Sequence, residues 1–130
     1  MRDILFRGKT VNGGMWVCGD YTVSDSGKYH YITANRCVHR VEPDTVGQFT
    51  GERDRNGKRI FEGDICEDDR ILGESEIVFE DGCFCAKRYI EEFEYYYYDA
   101  FYDTERQERY ETERHLTIIG NIYENPDLRP

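Results

Sequence analysis

Short runs of strand-forming residues, separated by glycine-containing turns, constrain the fold of this chain more than any other feature. Apolar and polar residues alternate through residues 4–11 and 15–23, and residues 12–14 (Asn-Gly-Gly) join the two runs. Asparagine and glycine tolerate the positive φ angles of tight hairpin turns, so this pattern predicts a β-hairpin. Residues 81–82 (Asp-Gly) predict a second hairpin later in the chain.

Further strands are expected where β-branched and aromatic residues cluster. Residues 28–33, 36–41 and 115–123 have this composition. Pro43 should end the second of these runs, because proline cannot donate to a sheet ladder. Closely spaced short strands predict a mainly β fold, a β-rich α+β protein with short antiparallel strands and at most one or two short helices.

The chain of 130 residues has the size of one ordinary domain, so we expect a single domain over residues 1–130. Two small lobes are predicted within it, an N-terminal β lobe at residues 1–55 and a C-terminal lobe at residues 56–130. The second lobe contains its own hairpin and a closing strand. These features are compatible with an SH3-like barrel.

The signals conflict in residues 91–113. Phe93, Tyr97 and Phe101 are spaced by four residues, as on one face of a helix, whereas four consecutive tyrosines favour a strand. We predict a strand to about Tyr98 and a short helix over residues 100–112.

The charge of the chain is unevenly distributed. The formal net charge is −10, with +3 in residues 1–60, −6 in residues 61–90 and −7 in residues 91–113. Direct binding of nucleic acid is disfavoured, because acidic surfaces repel phosphates. The asymmetry favours a basic protein as partner, or a homo-oligomer in which opposite halves meet. A merely solvated acidic surface is the alternative.

The sequence also predicts the cellular compartment. Residues 1–9 place charges on both sides of only three apolar residues, which is too short for a signal-peptide core or a spanning helix. We therefore expect a cytosolic protein with no membrane partner. Five cysteines are an odd number, which predicts reduced thiols rather than a disulfide framework.

Motifs for catalysis, metals and cofactors are weak. Residues 52–57 resemble the first half of a calcium loop, but Gly63 stands where the closing carboxylate belongs. Cys83 and Cys85 would share one face of a strand, yet no Cys-x-x-Cys pair completes a zinc pattern. No serine lies in a nucleophile elbow, and no phosphate-binding glycine run occurs. We expect no catalytic residues, no metal and no cofactor.

The most distinctive run of the sequence comprises residues 45–51 (TVGQFTG), 56–58 (NGK) and 61–65 (FEGDI). Residues 6–9 and 119–126 add a block near each end. Together, in order and over nearly the whole chain, these blocks resemble the YopX family of phage and prophage proteins. The resemblance implies an origin in phage or mobile elements and no assigned catalytic residues, because that family has no settled function. Its signature positions, which we expect to be structural, are Gly47, Gln48, Phe49, Gly51, Gly57, Gly63, Asp64, Gly120 and Asn121.

Residues 91–113 combine eight aromatic with nine acidic residues. Tyrosine offers a large contact area with a hydrogen-bonding tip and is enriched at protein-recognition surfaces. A protein-binding surface is therefore predicted at Tyr95, Tyr96, Tyr97, Tyr98, Phe101 and Tyr102. The alternative is a sheet in which the tyrosines pack inward and the acids face water.

These observations predict a phage-derived, non-enzymatic binding or assembly protein that associates with itself. An acidic mimic of nucleic acid that inhibits a host protein is the alternative. A small enzyme of uncharacterised type is a third hypothesis, because abundant carboxylates could pair in a cleft.

Overall fold

The computed structural model describes residues 4–71 and 73–130. Strands account for 55% and helices for 8% of the structure, in three antiparallel sheets, so the predicted mainly β class is confirmed. No helix in the described ranges is long and apolar enough to cross a membrane. The strands are β1 Phe6–Lys9, β2 Trp16–Val23, β3 His30–Ala34, β4 Cys37–Val41, β5 Gly47–Arg53, β6 Arg59–Phe61, β7 Asp64–Asp68, β8 Glu74–Glu80, β9 Cys83–Ile90, β10 Tyr95–Ala100, β11 Tyr102–Asp103, β12 Glu108–Arg109 and β13 Leu116–Asn121, and the helix α1 is Thr112–His115.

The chain divides into two compact units, Met1–Gly51 and Glu52–Pro130. The boundary falls inside β5, whereas the sequence placed the boundary between its two lobes after residue 55. Each unit contains its own buried apolar side chains.

The strands of the first unit pair in the order β4-β3-β2-β1-β5, and β6 follows β5 in the six-stranded order. Its core contains Ile32, Val41 and Phe49, which are 0%, 1% and 5% exposed. β4 also contacts the residues that follow β1: the Val11 N–H donates to the carbonyl oxygen of Arg40 at 2.9 Å. A short 3₁₀ helix, Pro43–Thr45, follows β4, so the prediction that proline ends this strand is confirmed.

The second unit contains a five-stranded sheet in the order β10-β9-β8-β7-β13 and a separate β11-β12 ribbon. Its core cluster consists of buried residues from β6, from these strands and from their flanks: Ile60, Cys66, Ile77, Phe84, Ala86, Phe101, Tyr110 and Leu116. β10 lies at one edge of the sheet and β13 at the other. Closure into an SH3-like barrel stays a prediction.

The hairpin predicted from Asp81-Gly82 is confirmed. Both residues have positive φ, +50° for Asp81 and +81° for Gly82, as the tight two-residue turn requires. β8 and β9 pair across this turn, with Phe79 opposite Phe84. The sequence did not identify the similar turn between β3 and β4, because Arg36 there has a φ of +67°, which its residue type does not predict.

The short helix predicted over residues 100–112 is wrong. β10 continues to Ala100, and β11 and β12 follow as a two-stranded ribbon. The four-residue spacing of aromatic residues suggested a helix face, but β10 pairs with β9 along its whole length, and a sheet partner overrides local periodicity. Only residues 112–115 are helical, at the end of the predicted range.

Candidate functional site

An exposed group of aromatic side chains lies on β9, β10 and the turn between them. Residues 95–98 are four tyrosines with exposed fractions between 41% and 48%, Tyr89 is 42% exposed and Phe93 is 64% exposed. β10 is an edge strand, and among the described strands only β9 pairs with it. We call Tyr89, Phe93 and residues 95–98 the aromatic surface.

Basic side chains of β9 lie over the rings of this aromatic surface. The Lys87 Nζ is 4.4 Å from the centroid of the Tyr96 ring, and the Arg88 Cζ is 4.5 Å from the centroid of the Tyr97 ring. The faces of aromatic rings carry negative potential, so these contacts help to hold the rings in place. The alternative in which the four tyrosines pack inward is wrong, because all of them remain substantially exposed.

Two residues predicted for the binding surface lie elsewhere. Phe101 is only 5% exposed and packs against Tyr110, with ring centroids 5.9 Å apart, so its assignment to an exposed surface is corrected. Its backbone N–H donates to the Phe84 carbonyl oxygen at 2.9 Å, which fixes the residue in the core. Tyr102 is 50% exposed but belongs to β11, where it pairs with Arg109 of β12.

The first unit has a cavity of about 220 Å³ between the β1-β2 hairpin and β4. Its apolar walls include Met15, Val17 and Val38, and two of these side chains, Met15 and Val38, are each 67% exposed. His39 and Arg40 also line it and supply a basic edge. The sequence did not predict this cavity, because its walls come from strands that only the fold brings together.

A buried carboxylate, Asp68, forms the centre of a polar network in the second unit. Arg70 donates to both of its oxygens, from Nε at 3.1 Å and from Nη2 at 2.9 Å, and the Tyr110 hydroxyl donates to Oδ2. Burial by itself would raise the pKa of Asp68, but the bonds from Arg70 and Tyr110 outweigh it and lower the pKa to about 2. Burial, together with the Asp68 charge, raises the pKa of Tyr110. The network is thus an ionised carboxylate with its acceptor positions filled.

Asp69 and His115 form a neighbouring pair at the edge of a cavity of about 260 Å³. The His115 Nδ1 lies 2.8 Å from Asp69 Oδ1, and the Arg55 Nη1 lies 3.5 Å from Asp69 Oδ2. Together with Asp68, these side chains bring three potential metal-ligand atoms within 4.8 Å of one another. A cation there would have to displace the Arg70 guanidinium from Asp68, so the arrangement favours an internal ion pair over a metal centre.

Gly63 and Asp64 shape the turn between β6 and β7. Gly63 has a φ of +94°, and a Cβ at this position would lie 3.0 Å from the ring of Tyr123. Asp64 is 2% exposed, and its carboxylate accepts the Phe61 backbone N–H at 2.8 Å. Both residues therefore act in the backbone architecture of this turn.

Gly120 and Asn121 have a similar place near the end of the chain. A Cβ on Gly120 would lie 2.4 Å from the side-chain oxygen of Asn125, which accepts the Asn121 N–H. The Asn121 side chain in turn accepts the N–H groups of Tyr123 and Glu124 at 3.0 and 2.9 Å. This local network turns the chain after β13.

The remaining signature residues lie in strands and turns. Gly47 and Gln48 of β5 pair with Arg7 and Phe6 of β1, and Phe49 belongs to the core of the first unit. Gly51 and Gly57 have positive φ angles of +89° and +78°.

Asp54 is a buried structural carboxylate that was not among the residues predicted from the sequence. It is 1% exposed, and its Oδ1 accepts the Asn56 and Lys58 N–H groups, each at 2.9 Å. Its Oδ2 accepts the Ile118 N–H of β13 at 3.0 Å. Nothing in the sequence marks this bond, because its donor lies 64 residues away.

Cys83 and Cys85 project from the same face of β9, as the sequence predicted, with their sulfur atoms 3.5 Å apart. Burial is the main cause that raises the pKa of Cys85 to about 12, and the neighbouring Cys83 adds to it. Cys85 is therefore a protonated core thiol.

No curated protein matches the chain. Among solved structures, protein EF1440 from Enterococcus faecalis superposes with a TM-score of 0.53 at 21% sequence identity, covering 98% of this chain and 99% of that one, which shows a shared fold. The sequence model of the family described as YopX protein matches residues 6–128. The chain therefore belongs to the YopX protein family.

Proposed function

We propose that this protein is a non-enzymatic binding and assembly protein that associates with copies of itself. The proposal includes a phage or prophage origin and a place in the cytoplasm of the bacterial host. The observation that carries it is the aromatic surface, which exposes six large side chains within ten residues of sequence. Exposed large aromatic side chains are enriched at surfaces that another protein covers.

The distribution of charge supports association between copies. Residues 1–60 have a net charge of +3, whereas residues 61–113 have a net charge of −13. Complementary potentials on one chain attract opposite halves of two copies and raise the rate at which they meet.

The polar clusters favour binding over catalysis. The acceptor positions of Asp68 are filled by Arg70 and Tyr110, and the Asp69 carboxylate contacts both His115 and Arg55. Both carboxylates thus already have hydrogen-bonding or ionic partners within the chain, whereas a general acid or base must be able to exchange a proton with a substrate.

The test is the solution mass by light scattering at low and high salt. We expect the wild-type chain to exceed its monomer mass of 15.4 kDa. Replacing Tyr95 and Tyr97 with serine should shift the population toward the monomer. The control is Tyr102→Ser, which removes a comparably exposed tyrosine outside the aromatic surface. A wild-type protein that stays monomeric at every concentration would contradict the proposal, and an assembly unaffected by salt would remove charge pairing as its cause.

A second candidate function is the acidic mimic of nucleic acid that inhibits a host protein. The exposed carboxylates of Glu91, Glu92 and Glu94 favour it. Other carboxylates of the segment are already ion-paired within the chain, as Asp99 is with Arg88 at 3.7 Å, which weakens the likeness to a row of phosphates. Equal capture of basic nucleic-acid-binding proteins by the wild-type chain and by a Glu91→Gln, Glu92→Gln, Glu94→Gln variant would exclude mimicry.

A further inference from the structure

We propose that Phe93 of one copy inserts into the apolar cavity in the first unit of a second copy. This inference rests on the proposed self-association and specifies the two surfaces that meet. Each copy carries both surfaces, and the contact joins Phe93 of one copy to the cavity of another.

Phe93 has the features of an anchoring side chain. It is 64% exposed at the tip of the turn between β9 and β10. Two backbone bonds hold that turn, from the Phe93 N–H to the Ile90 carbonyl oxygen and from the Glu94 N–H to the Glu91 carbonyl oxygen, each at 3.3 Å. A side chain presented by an ordered turn loses little conformational freedom when it binds.

The cavity offers a benzyl group apolar contact on one side. Its volume is about 220 Å³, it is open to solvent, and Met15, Val17 and Val38 form its apolar part. Covering Met15 and Val38, each 67% exposed, would remove a large amount of apolar surface from water.

Charge orients the same contact. Glu91, Glu92 and Glu94 surround Phe93 in the sequence and are exposed, whereas His39 and Arg40 line the cavity. Insertion of Phe93 would bring this acidic turn to the basic edge of the cavity. Opposite charges around an apolar anchor increase both the association rate and the specificity of an interface.

A contact between two different surfaces has a consequence for assembly size. Two copies can exchange both contacts in a two-fold dimer, or each copy can use its Phe93 and its cavity with different neighbours, so that copies add until a larger ring closes or a filament grows. In a dimer where Phe93 meets the partner's Phe93, by contrast, the cavity plays no part. The two geometries can therefore be distinguished by mixing variants.

The experiment uses Phe93→Glu, which removes the anchor, and Val38→Glu, which places a negative charge at the cavity. Both positions are exposed, so both variants should fold, which circular dichroism checks. We expect each variant alone to be monomeric at concentrations where the wild-type chain assembles. An equimolar mixture should form a dimer of twice 15.4 kDa and nothing larger, because it contains one intact Phe93 and one intact cavity. Arg40→Glu should weaken assembly roughly tenfold, and adding Glu92→Lys should restore part of this loss.

Three outcomes would overturn the inference. Assembly of Phe93→Glu at the wild-type level would refute the anchor while leaving the proposed self-association intact. Monomeric single variants whose mixture also stays monomeric would show that Phe93 and the cavity do not meet. A wild-type chain that never assembles would refute the self-association and this contact together.

Discussion

Replacing Asp54 with alanine should destabilise the protein by about 3 kcal/mol, because this buried carboxylate accepts three backbone N–H groups. Two donors, from Asn56 and Lys58, lie in an exposed turn where water can replace the lost acceptor, so each should cost only about 0.5 kcal/mol. The third, from Ile118, lies in β13 and is less accessible to water. A hydrogen bond to a charged group contributes roughly 1.5–3 kcal/mol, so we assign this one about 2 kcal/mol.

Asp54→Asn gives a graded comparison. The amide retains one oxygen for the two turn donors but turns an NH₂ group toward the Ile118 N–H, since one oxygen of the carboxylate has become a donor. We expect a loss of about 2 kcal/mol, between the wild type and Asp54→Ala. Glu105→Ala is the matched control, because it removes one negative charge from an exposed position in the same unit and should change stability by less than about 0.5 kcal/mol.

The assay is urea unfolding followed by circular dichroism, together with amide hydrogen exchange at Ile118. Exchange at this position should accelerate in both Asp54 variants, because its N–H has lost its acceptor. An Asp54→Ala chain within about 0.5 kcal/mol of the wild type, with unchanged exchange at Ile118, would refute the assignment of Asp54 as the link between the turn and β13.

Gly120→Ala should cost about 1–2 kcal/mol in urea unfolding, because the new Cβ would lie 2.4 Å from the Asn125 side-chain oxygen; an unchanged midpoint would contradict this. The pKa of Asp68 is lowered to about 2, so its contribution to the free energy of unfolding is complete above the unfolded-state pKa near 4 and is lost as the pH falls toward 2. With allowance for solvent around its Arg70 partner, this contribution is about 1–2 kcal/mol. The difference in unfolding free energy between wild type and Asp68→Asn should therefore narrow over that pH range, and a constant difference would contradict the role of Asp68. Cys37 is exposed and should react with iodoacetamide long before Cys85, whose burial raises its pKa to about 12; equal rates by mass spectrometry would be the contrary result.

The candidate surfaces show how far the sequence could lead. The run of four tyrosines identified residues 95–98 correctly as an unusual segment, and all four side chains are exposed. Phe101 was assigned to the same surface because it follows closely in the sequence. The structure buries it against Tyr110, a residue that reaches the same place only through the β11-β12 ribbon. The sequence could not predict a contact between Phe93 and Val38, because no local pattern indicates that Val38 lines a cavity.

The sequence by itself determined the class of this protein, two of its hairpins and its family. Turn chemistry is local, so Asp81-Gly82 identified the β8-β9 hairpin, and Pro43 marked the end of β4. The tertiary structure decided what depends on contacts between residues distant in sequence. It made residues 95–100 an edge strand and residues 102–109 a ribbon rather than a helix, because pairing with β9 outweighs the local period of the aromatic residues. It also joined Asp54 to Ile118 and Asp68 to Tyr110, since a buried carboxylate takes whichever donors the packed backbone brings to it.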